Sequence, residues 1–375
     1  MDFQLSDEQN LLRESVRTFT KQRSPIGRFR KVRDQRHGWD RAVWREMGEL
    51  GWLSLPFPES AGGFGGTLLD VSLLLEAFGA TLVPEPYLAS VVFAGTALLH
   101  AGTAQQHERW LAPLIEGSSS LALAHAEREH RFDAQPRSTT ATRDGDAWHV
   151  RGTKAFVANG HHADVLVVSA NDRGHSLLFA VAREHPALRI DAVRTIDGLG
   201  AATVTVDGHI GDEHRLAGGD AAIALERAHD AGAAMAVAEG LGICQAVLGL
   251  TVGHLRTREQ FGVAIGSFQA LQHRAVEMFV EVELMRSVAV LAAVRADDDD
   301  ESTRRRAVSA AKVQLSSGGR FITQQAIQLH GGIGITDEHD VGLYFKRMHA
   351  LGVMFGDEEH HVRRFADDPS FAPTP

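Results

Sequence analysis

Hydrophobic and polar positions along the chain change period twice. Up to about residue 118 the period is helical. Ser6, followed three residues on by Gln9, predicts a capping box, and Leu11, Leu12, Val16 and Phe19 follow at helical spacing. The stretch WDRAVWREMGELGWLSL repeats the pattern and stops at Pro56 and Pro58; Leu68 to Phe78 restart a helix after the turn-rich loop PFPESAGGFGGT. That loop lacks both the Lys-Ser/Thr pair and the preceding strand of a phosphate loop, so it reads as a connection. From about 119 to 216 the period becomes two. STTATRDGDAWHVRGTKAFVANG alternates around Asp144 and Gly145, the pattern of a hairpin, and ADVLVVSA, SLLFAVA and AATVTVDG add β-branched runs. Strands without intervening helical repeats predict an antiparallel sheet or small barrel rather than a dinucleotide-binding βαβ fold. From about 217 the helical period returns, with long stretches at 219–258, 266–296, 303–330 and 338–350, and the acidic run 296–302 reads as a solvated loop. The expected architecture is mainly α with a middle β domain: a helical domain over 1–118, a barrel-like antiparallel β domain over 119–216 and a four-helix bundle over 217–375.

Bulk properties narrow the function. The chain has 375 residues, 44% of them hydrophobic, enough for one large core or two to three smaller ones. A net charge of -10 argues against a nucleic-acid binder. The single cysteine, Cys244 in GLGICQAVLG, excludes an internal disulfide and reads as a buried apolar residue. The acidic, amphipathic start is unlike a signal peptide, and no uninterrupted apolar run reaches the roughly 18 residues of a membrane span, so a cytoplasmic location is expected. No metal site is expected. The 20 histidines are scattered, His161–His162 read as a turn, and His360–His361 are adjacent on a helix and point apart.

Several words resemble the acyl-CoA dehydrogenase family across essentially the whole chain. RTREQFGVAIGSFQALQHRAVEM (256–278) resembles its Arg-x-x-Phe-Gly…Phe-Gln signature, and QAIQLHGGIGITDEHDVGLYFKR (325–347) its second signature. PESAGGFGG and GTKAFVANG are similar to its N-terminal loop and flavin-facing strand. The resemblance implies FAD as cofactor, an acyl-CoA substrate, an electron acceptor such as electron-transfer flavoprotein, and a place in fatty-acid and lipid metabolism. A guanidinium can bind the FAD pyrophosphate in fork geometry, which by resemblance is the role of Arg258. Gln260, Phe261, Phe268 and Gln269 would line the adenosine side, together with Gln328, while Gly331 and Gly332 would let backbone approach the dinucleotide. Phe156 and Val157 would pack an aromatic ring and a backbone donor against the flavin. In the family the adenosine-side elements come from a neighbouring subunit, so at least a dimer is implied. The reaction implied is α,β-desaturation of an acyl thioester: a carboxylate removes the α-proton while the β-hydrogen leaves as hydride to flavin N5.

The chain departs from that pattern in three places. Counting forward from Arg347, the family's usual catalytic Glu aligns with Gly356. The alternative Glu on the first long bundle helix aligns with Gly232, and the Arg that often follows it with Ala233. The Thr-Glu-Pro-Gly-x-Gly-Ser-Asp word is replaced by ALAHAEREHRFDAQ (122–135). Asp357 and Glu358 neighbour the first base position, but a shift of one residue swings a side chain by roughly 100° in a helix. Asp357, Glu358 and Glu359 read instead as the cap and first turn of a last helix, where the helix dipole favours acids. Asp230 and Glu239 lie on the first bundle helix; Glu239 reads as a packing or pairing residue. The combined losses resemble the small, base-lacking subunit of two-component acyl-CoA dehydrogenases, of the pimeloyl-CoA dehydrogenase small-subunit kind, whose partner subunit carries the glutamate. The alternatives are a homo-oligomeric dehydrogenase using Asp357, Glu358 or Asp230 as base, a flavin-free structural or regulatory subunit, and a flavin oxidase or monooxygenase on the same fold.

Overall fold

The computed structural model describes residues 5–35, 38–368 and 371. The chain folds as two compact units, one built from Met1–Lys31, Leu68–Val83 and Ala233–Pro375, the other from Val32–Thr67 and Pro84–Gly232. The helices before the sheet are α1 (Asp7–Arg23), α2 (Ile26–Val32), α3 (Arg41–Glu49), α4 (Leu68–Thr81), α5 (Gly95–Ala101), α6 (Ala104–Gln106) and α7 (Ala112–Ile115). A π-helical segment, Leu88–Ala94, runs directly into α5. The expected capping box opens α1: the Gln9 N–H donates to the Ser6 hydroxyl at 3.2 Å while the Ser6 N–H donates to the Gln9 amide oxygen at 3.1 Å.

The second unit holds a seven-stranded sheet of β1 (Leu121–Ala124), β2 (Thr140–Asp144), β3 (Ala147–Ala158), β4 (Val165–Asp172), β5 (His175–Ala182), β6 (Leu188–Arg194) and β7 (Gly200–Gly211). The order is β1-β4-β2-β3-β7-β6, with β5 on β4. The Asp144–Gly145 hairpin joins β2 to β3 in antiparallel register, and β3–β7, β6–β7 and β4–β5 are antiparallel as well. β1 pairs with β4 in parallel, and β2 meets β4 in parallel at Thr140 and Asn171, so the sheet is not the wholly antiparallel one the pattern predicts. Alternation reports which face a strand buries but not the direction of a partner about 40 residues away. The inner face packs Trp148, Val150, Leu166, Phe179, Val204 and Ile210 into one apolar core. The long β3 and β7 pair along nearly their whole length and form the spine of the sheet.

The remaining helices are α8 (Ala221–Thr257), α9 (Gln269–Arg295), α10 (Glu301–Gln314), α11 (Arg320–His330), α12 (Val341–Val353) and α13 (Glu358–Ala366), close to the predicted stretches. In the first unit α1 packs on α4, α4 on α9, α10 against α9 and α13, and α11 against α12. α8 is 37 residues long, and an 18-residue window of it is apolar enough to cross a membrane by length and composition; 72% of that window is buried within the protein. Its Gly and Ala positions serve close packing instead. A Cβ on Gly79 of α4 would overlap the Glu239 carbonyl oxygen, and one on Gly242 the Glu76 carbonyl oxygen, so the two helices cross backbone to backbone.

At that crossing Glu239 is buried and paired. Arg347 of α12 donates through Nε to one carboxylate oxygen at 2.6 Å and through a terminal nitrogen to the other at 3.0 Å. Removing one partner strands the other charge away from water, so Arg347→Met is expected to cost about 3–5 kcal/mol in chemical denaturation. The double variant Glu239→Leu/Arg347→Met should recover most of that loss; additive losses would show that the two groups do not act as a pair.

Candidate functional site

Arg258 follows the last residue of α8 and opens a two-residue hairpin. Glu259–Gln260 pair with Val263–Ala264, and the turn is Phe261–Gly262, with φ of 55° and 80°. Positive φ at both central residues defines a type I′ turn, in which a bulky residue at the first position is strained by about 1–3 kcal/mol. The turn holds the Phe261 ring outward, 91% exposed, with the Phe268 ring edge-on to it at 6.1 Å. Gln260, Gln269 and the Arg258 guanidinium are exposed too, and no carboxylate pairs with that guanidinium among the described residues.

The second signature arrives at the same corner. α11 ends at His330, and Gly331 reverses the chain with φ 64°, which favours glycine. Among the described residues a Cβ on Gly331 or Gly332 would meet nothing within 4 Å, so one face of this backbone is open. The rings of His254, in the last turn of α8, and His330 lie 4.5 Å apart and bring the two signature elements together; His339 lies against His330 at the same distance, its plane tilted by 52°. Gln328 is exposed on the last turn of α11. The three histidines were not singled out by sequence. The available signal was their placement: His254 four residues before Arg258, and His330 immediately before the glycine pair.

In the second unit, the register of β3 against β7 shifts between Lys154 and Val157. Phe156 takes a φ of 52° there and turns its ring out, 66% exposed, while Ala155 and Val157 stay buried. Beneath it, the segment that replaces the Thr-Glu-Pro-Gly word forms a buried polar network. Glu127 accepts from the backbone N–H groups of Arg137, Ser138 and Thr139 and from Lys154 Nζ at 2.8 Å. Lys154 also donates to the Ser169 hydroxyl, which donates to His125 Nδ1, and His125 Nε2–H donates to the Asp133 carbonyl. Burial pushes the Glu127 carboxyl up, but the bonds from Lys154 and the backbone outweigh it and hold it well below the usual carboxylate range. Burial lowers Lys154 to about 8, with Glu127 opposing the shift. Burial, then the charges of His229 and Lys154, hold His125 well below the usual imidazole range. A sequence separation of 27 residues hides the Glu127–Lys154 pair from any local pattern.

Neither expected base position carries a carboxylate. Gly232 lies within α8, and Asp230, two residues before it, is buried. At the other position the chain makes a turn of its own. Phe355 and Gly356 have φ of 58° and 113°, and a Cβ on Gly356 would lie 2.6 Å from both the His360 and His361 rings. His361 Nε2–H donates to the Phe355 carbonyl at 3.0 Å, and buried Lys312 donates to the carbonyls of Leu351 at 2.7 Å and Met354 at 2.8 Å. Asp357 is the N-cap of α13, accepting from the His360 N–H, as its position in the sequence predicts, and Glu358 in the first turn pairs with Arg320 at 3.2 Å. Among the described residues no group of three or more His, Cys, Asp or Glu side chains could hold a metal ion.

This fold and these elements are those of a flavin-dependent acyl-thioester dehydrogenase. The family models described as acyl-CoA dehydrogenase N-terminal, middle and C-terminal domain match residues 6–118, 122–208 and 222–368, and the chain belongs to the acyl-CoA dehydrogenase family. Among its relatives is acyl-CoA dehydrogenase IpdE2 of Mycolicibacterium smegmatis, 30% identical over 96% of this chain and 98% of that protein. The ChsE4–ChsE5 complex from Mycobacterium tuberculosis superposes with a TM-score of 0.90 at 27% identity, covering 100% of each chain. A variant of the Tcur3481–Tcur3483 steroid ACAD superposes with a TM-score of 0.87 at 30% identity, covering 96% of this chain and 97% of that one. Members of the family are FAD-dependent oxidoreductases, so the chain is such an enzyme or a subunit of one. The residues present fit the group: an exposed guanidinium, an open glycine backbone and outward-turned aromatic rings suit a dinucleotide's phosphates and apolar faces.

The Gly356 turn yields two predictions. Gly356→Glu is expected to destabilise the protein by more than the roughly 1–2 kcal/mol that positive φ alone costs a side chain, and to leave acyl-CoA dehydrogenation undetectable. An active, equally stable Gly356→Glu protein would show that the turn still accepts a base. Lys312 supplies the second. Burial lowers its amine to about 7, against the opposing charge of Asp357, from the ordinary value near 10.5. Between those values the unfolded chain binds a proton that the folded chain does not, so stability should rise with pH from about 7 to 10. In Lys312→Met that component of the rise should vanish in pH-resolved denaturation curves.

Proposed function

We propose that this chain is the small, base-lacking subunit of a two-component acyl-CoA dehydrogenase, with domains over 1–118, 119–216 and 217–375. The observation that carries this reading is the Gly356 turn. The backbone there runs through a φ of 113°, and the space next to its Cα is filled by His360 and His361. Position 356 has been rebuilt, not merely emptied. The neighbouring acids have other work: Asp357 caps α13 and Glu358 pairs with Arg320. In this reading a second acyl-CoA dehydrogenase subunit brings the carboxylate that removes the α-proton of an acyl-CoA thioester.

The chain keeps the elements by which it would contribute to a shared cofactor site. FAD, when bound, supplies the hydride-accepting chemistry. Arg258, with Gln260, Phe261, Phe268, Gln269, Gln328, Gly331 and Gly332, would hold its adenosine half; Phe156 and Val157 would serve the flavin side. An electron acceptor such as electron-transfer flavoprotein would reoxidise the cofactor.

Assembly is supported by α9. One face of it buries Met278, Val282, Met285 and Ala289, yet Val276, Phe279, Val280 and Leu284 on another face are exposed. A helix apolar on two faces belongs between protein surfaces. The solved ChsE4–ChsE5 relative is, by its description, a complex of two proteins.

The test is expression of the chain alone and together with a second dehydrogenase subunit encoded beside it. Alone it should not oxidise acyl-CoAs; together the two should co-purify as a yellow, active hetero-oligomer. Arg258→Ala in the complex should lower bound flavin at least several-fold, read from the ratio of absorbance at 450 and 280 nm. Acyl-CoA oxidation by the chain alone, abolished by Asp357→Asn, would overturn the proposal.

A further inference from the structure

The stack of His254, His330 and His339 lies beside Arg258 and the open backbone of Gly331–Gly332, and resting on the reading of that corner as the adenosine-diphosphate site, it can be assigned a task. His330 is the shared middle ring, 4.5 Å from each of the other two. Its Nδ1–H donates to the Ala326 carbonyl at 2.7 Å. Its Nε2 is buried without a hydrogen-bond partner among the described residues. A proton placed on that atom would be a buried cation with nothing to accept from it, so the middle ring stays neutral. A neutral ring offers a π face, and a protonated imidazole lying on it, as His254 does at a tilt of 30°, gains a cation–π contact. Two protonated outer rings, each 4.5 Å from it, would repel each other. The stack is therefore built to hold one proton.

Which outer ring takes it follows from its surroundings. His339 Nδ1 is occupied as acceptor of the Val341 N–H. His254 sits one helical turn before Arg258 and is partly buried. Burial, then the charges of His339 and Arg258, lower its affinity for a proton. The groups that face it are Arg258 from its own helix, His330 from α11 and His339 from the segment before α12; Asp340, the next charged residue of that segment, is held by Arg30 at 2.8 Å. An anion on the Arg258 guanidinium cancels the charge that opposes protonation and adds an attractive one.

We propose that His254 is a proton-coupled second ligand for the diphosphate bound by Arg258, taking up one proton as the anion docks and stacking, once charged, on the neutral ring of His330. Binding of a diphosphate is then linked to pH, and His330 is a positioning residue that acts through His254. The pull of the anion and the π face of His330 together offset the cost of charging a half-buried ring beside a guanidinium.

The probe is ADP, titrated calorimetrically into the full-length chain between pH 8 and pH 6, in pairs of buffers with different ionisation enthalpies. After correction for the terminal phosphate of ADP, which itself titrates in this range, the expected result is uptake of up to one proton per ADP, with affinity rising by up to about tenfold per pH unit, the limit for one linked proton. His254→Asn should flatten that dependence while leaving weaker binding at pH 8. His330→Phe, which keeps a neutral face, should retain proton uptake, and His330→Ala should reduce it. ADP binding that depends on Arg258 but takes up no proton, or uptake that survives His254→Asn, overturns the inference and leaves the adenosine-site reading standing. No ADP binding, or binding unchanged in Arg258→Ala, overturns both.

Discussion

The buried pair of Glu239 and Arg347 sets the register on which the first unit depends. It lies where α8 and α4 approach so closely that glycine is the only residue either backbone admits, at Gly79 and Gly242. Helices in ridge-to-groove contact can slide and repack, but a glycine facing a carbonyl oxygen fixes the crossing point. The charge of Glu239 then has to be answered at that same level, and Arg347 does so from α12, while Tyr344, one turn earlier, donates to the Ala80 carbonyl at the end of α4. Three helices are locked by one crossing. The Arg258 corner lies about five turns further along α8. The Gly356 turn follows directly from the C-terminal end of α12. Both inherit their positions from a contact that is not itself chemical.

Local devices were legible in the sequence because their cause is local. The Ser6–Gln9 box, the Asp144–Gly145 hairpin and the Asp357 cap each need only residues within a turn of one another, and each is present. The long helices were legible from period and length, and the place of Glu239 on the first bundle helix reads as packing or pairing, of which the structure shows the pairing. What escaped reading depends on residues distant in sequence. The parallel pairing of β1 with β4 brings together segments about 40 residues apart, and the Lys154–Glu127 and Lys312–Met354 contacts span 27 and 42 residues. The strained backbone of Phe156, Phe261 and Phe355 also escaped, since a bulky residue at positive φ runs against the local preference. All three lie in or beside the words that carry the family resemblance or its loss, which is where sequence and local propensity are expected to disagree.

The two buried lysines show how the departures from the family pattern were absorbed. Lys154 stands in the network that replaces the Thr-Glu-Pro-Gly word, and there a full carboxylate neutralises it, so its amine falls only to about 8. Lys312 stands behind the Gly356 turn, where the resemblance expects a glutamate, and it donates to two carbonyl dipoles, so its amine falls further, to about 7. The first arrangement spends a carboxylate on structure. The second caps the end of α12 with an amine and leaves the nearest carboxylate, Asp357, to cap α13. In both places a word associated with chemistry has become a hydrogen-bonded brace.

That substitution bears on what α9 implies. Its second apolar face would suit any assembly, with a copy of this chain or with a different one, so the face alone does not choose between the two. The turn does. A homo-oligomer of this chain repeats the same filled Gly356 position in every protomer, and symmetry cannot restore a group that every copy lacks. A partner of the same fold with its own carboxylate can, because the desaturation needs one base per reacting thioester and not one per chain. Asp230 is the remaining acid near the second base position, and it is buried two residues from Gly232 on a helix, where a shift of that size turns a side chain to nearly the opposite face. At position 356 the constraint on a carboxylate is thus steric before it is chemical: the positive φ and the His360 and His361 rings leave little room for a side chain there.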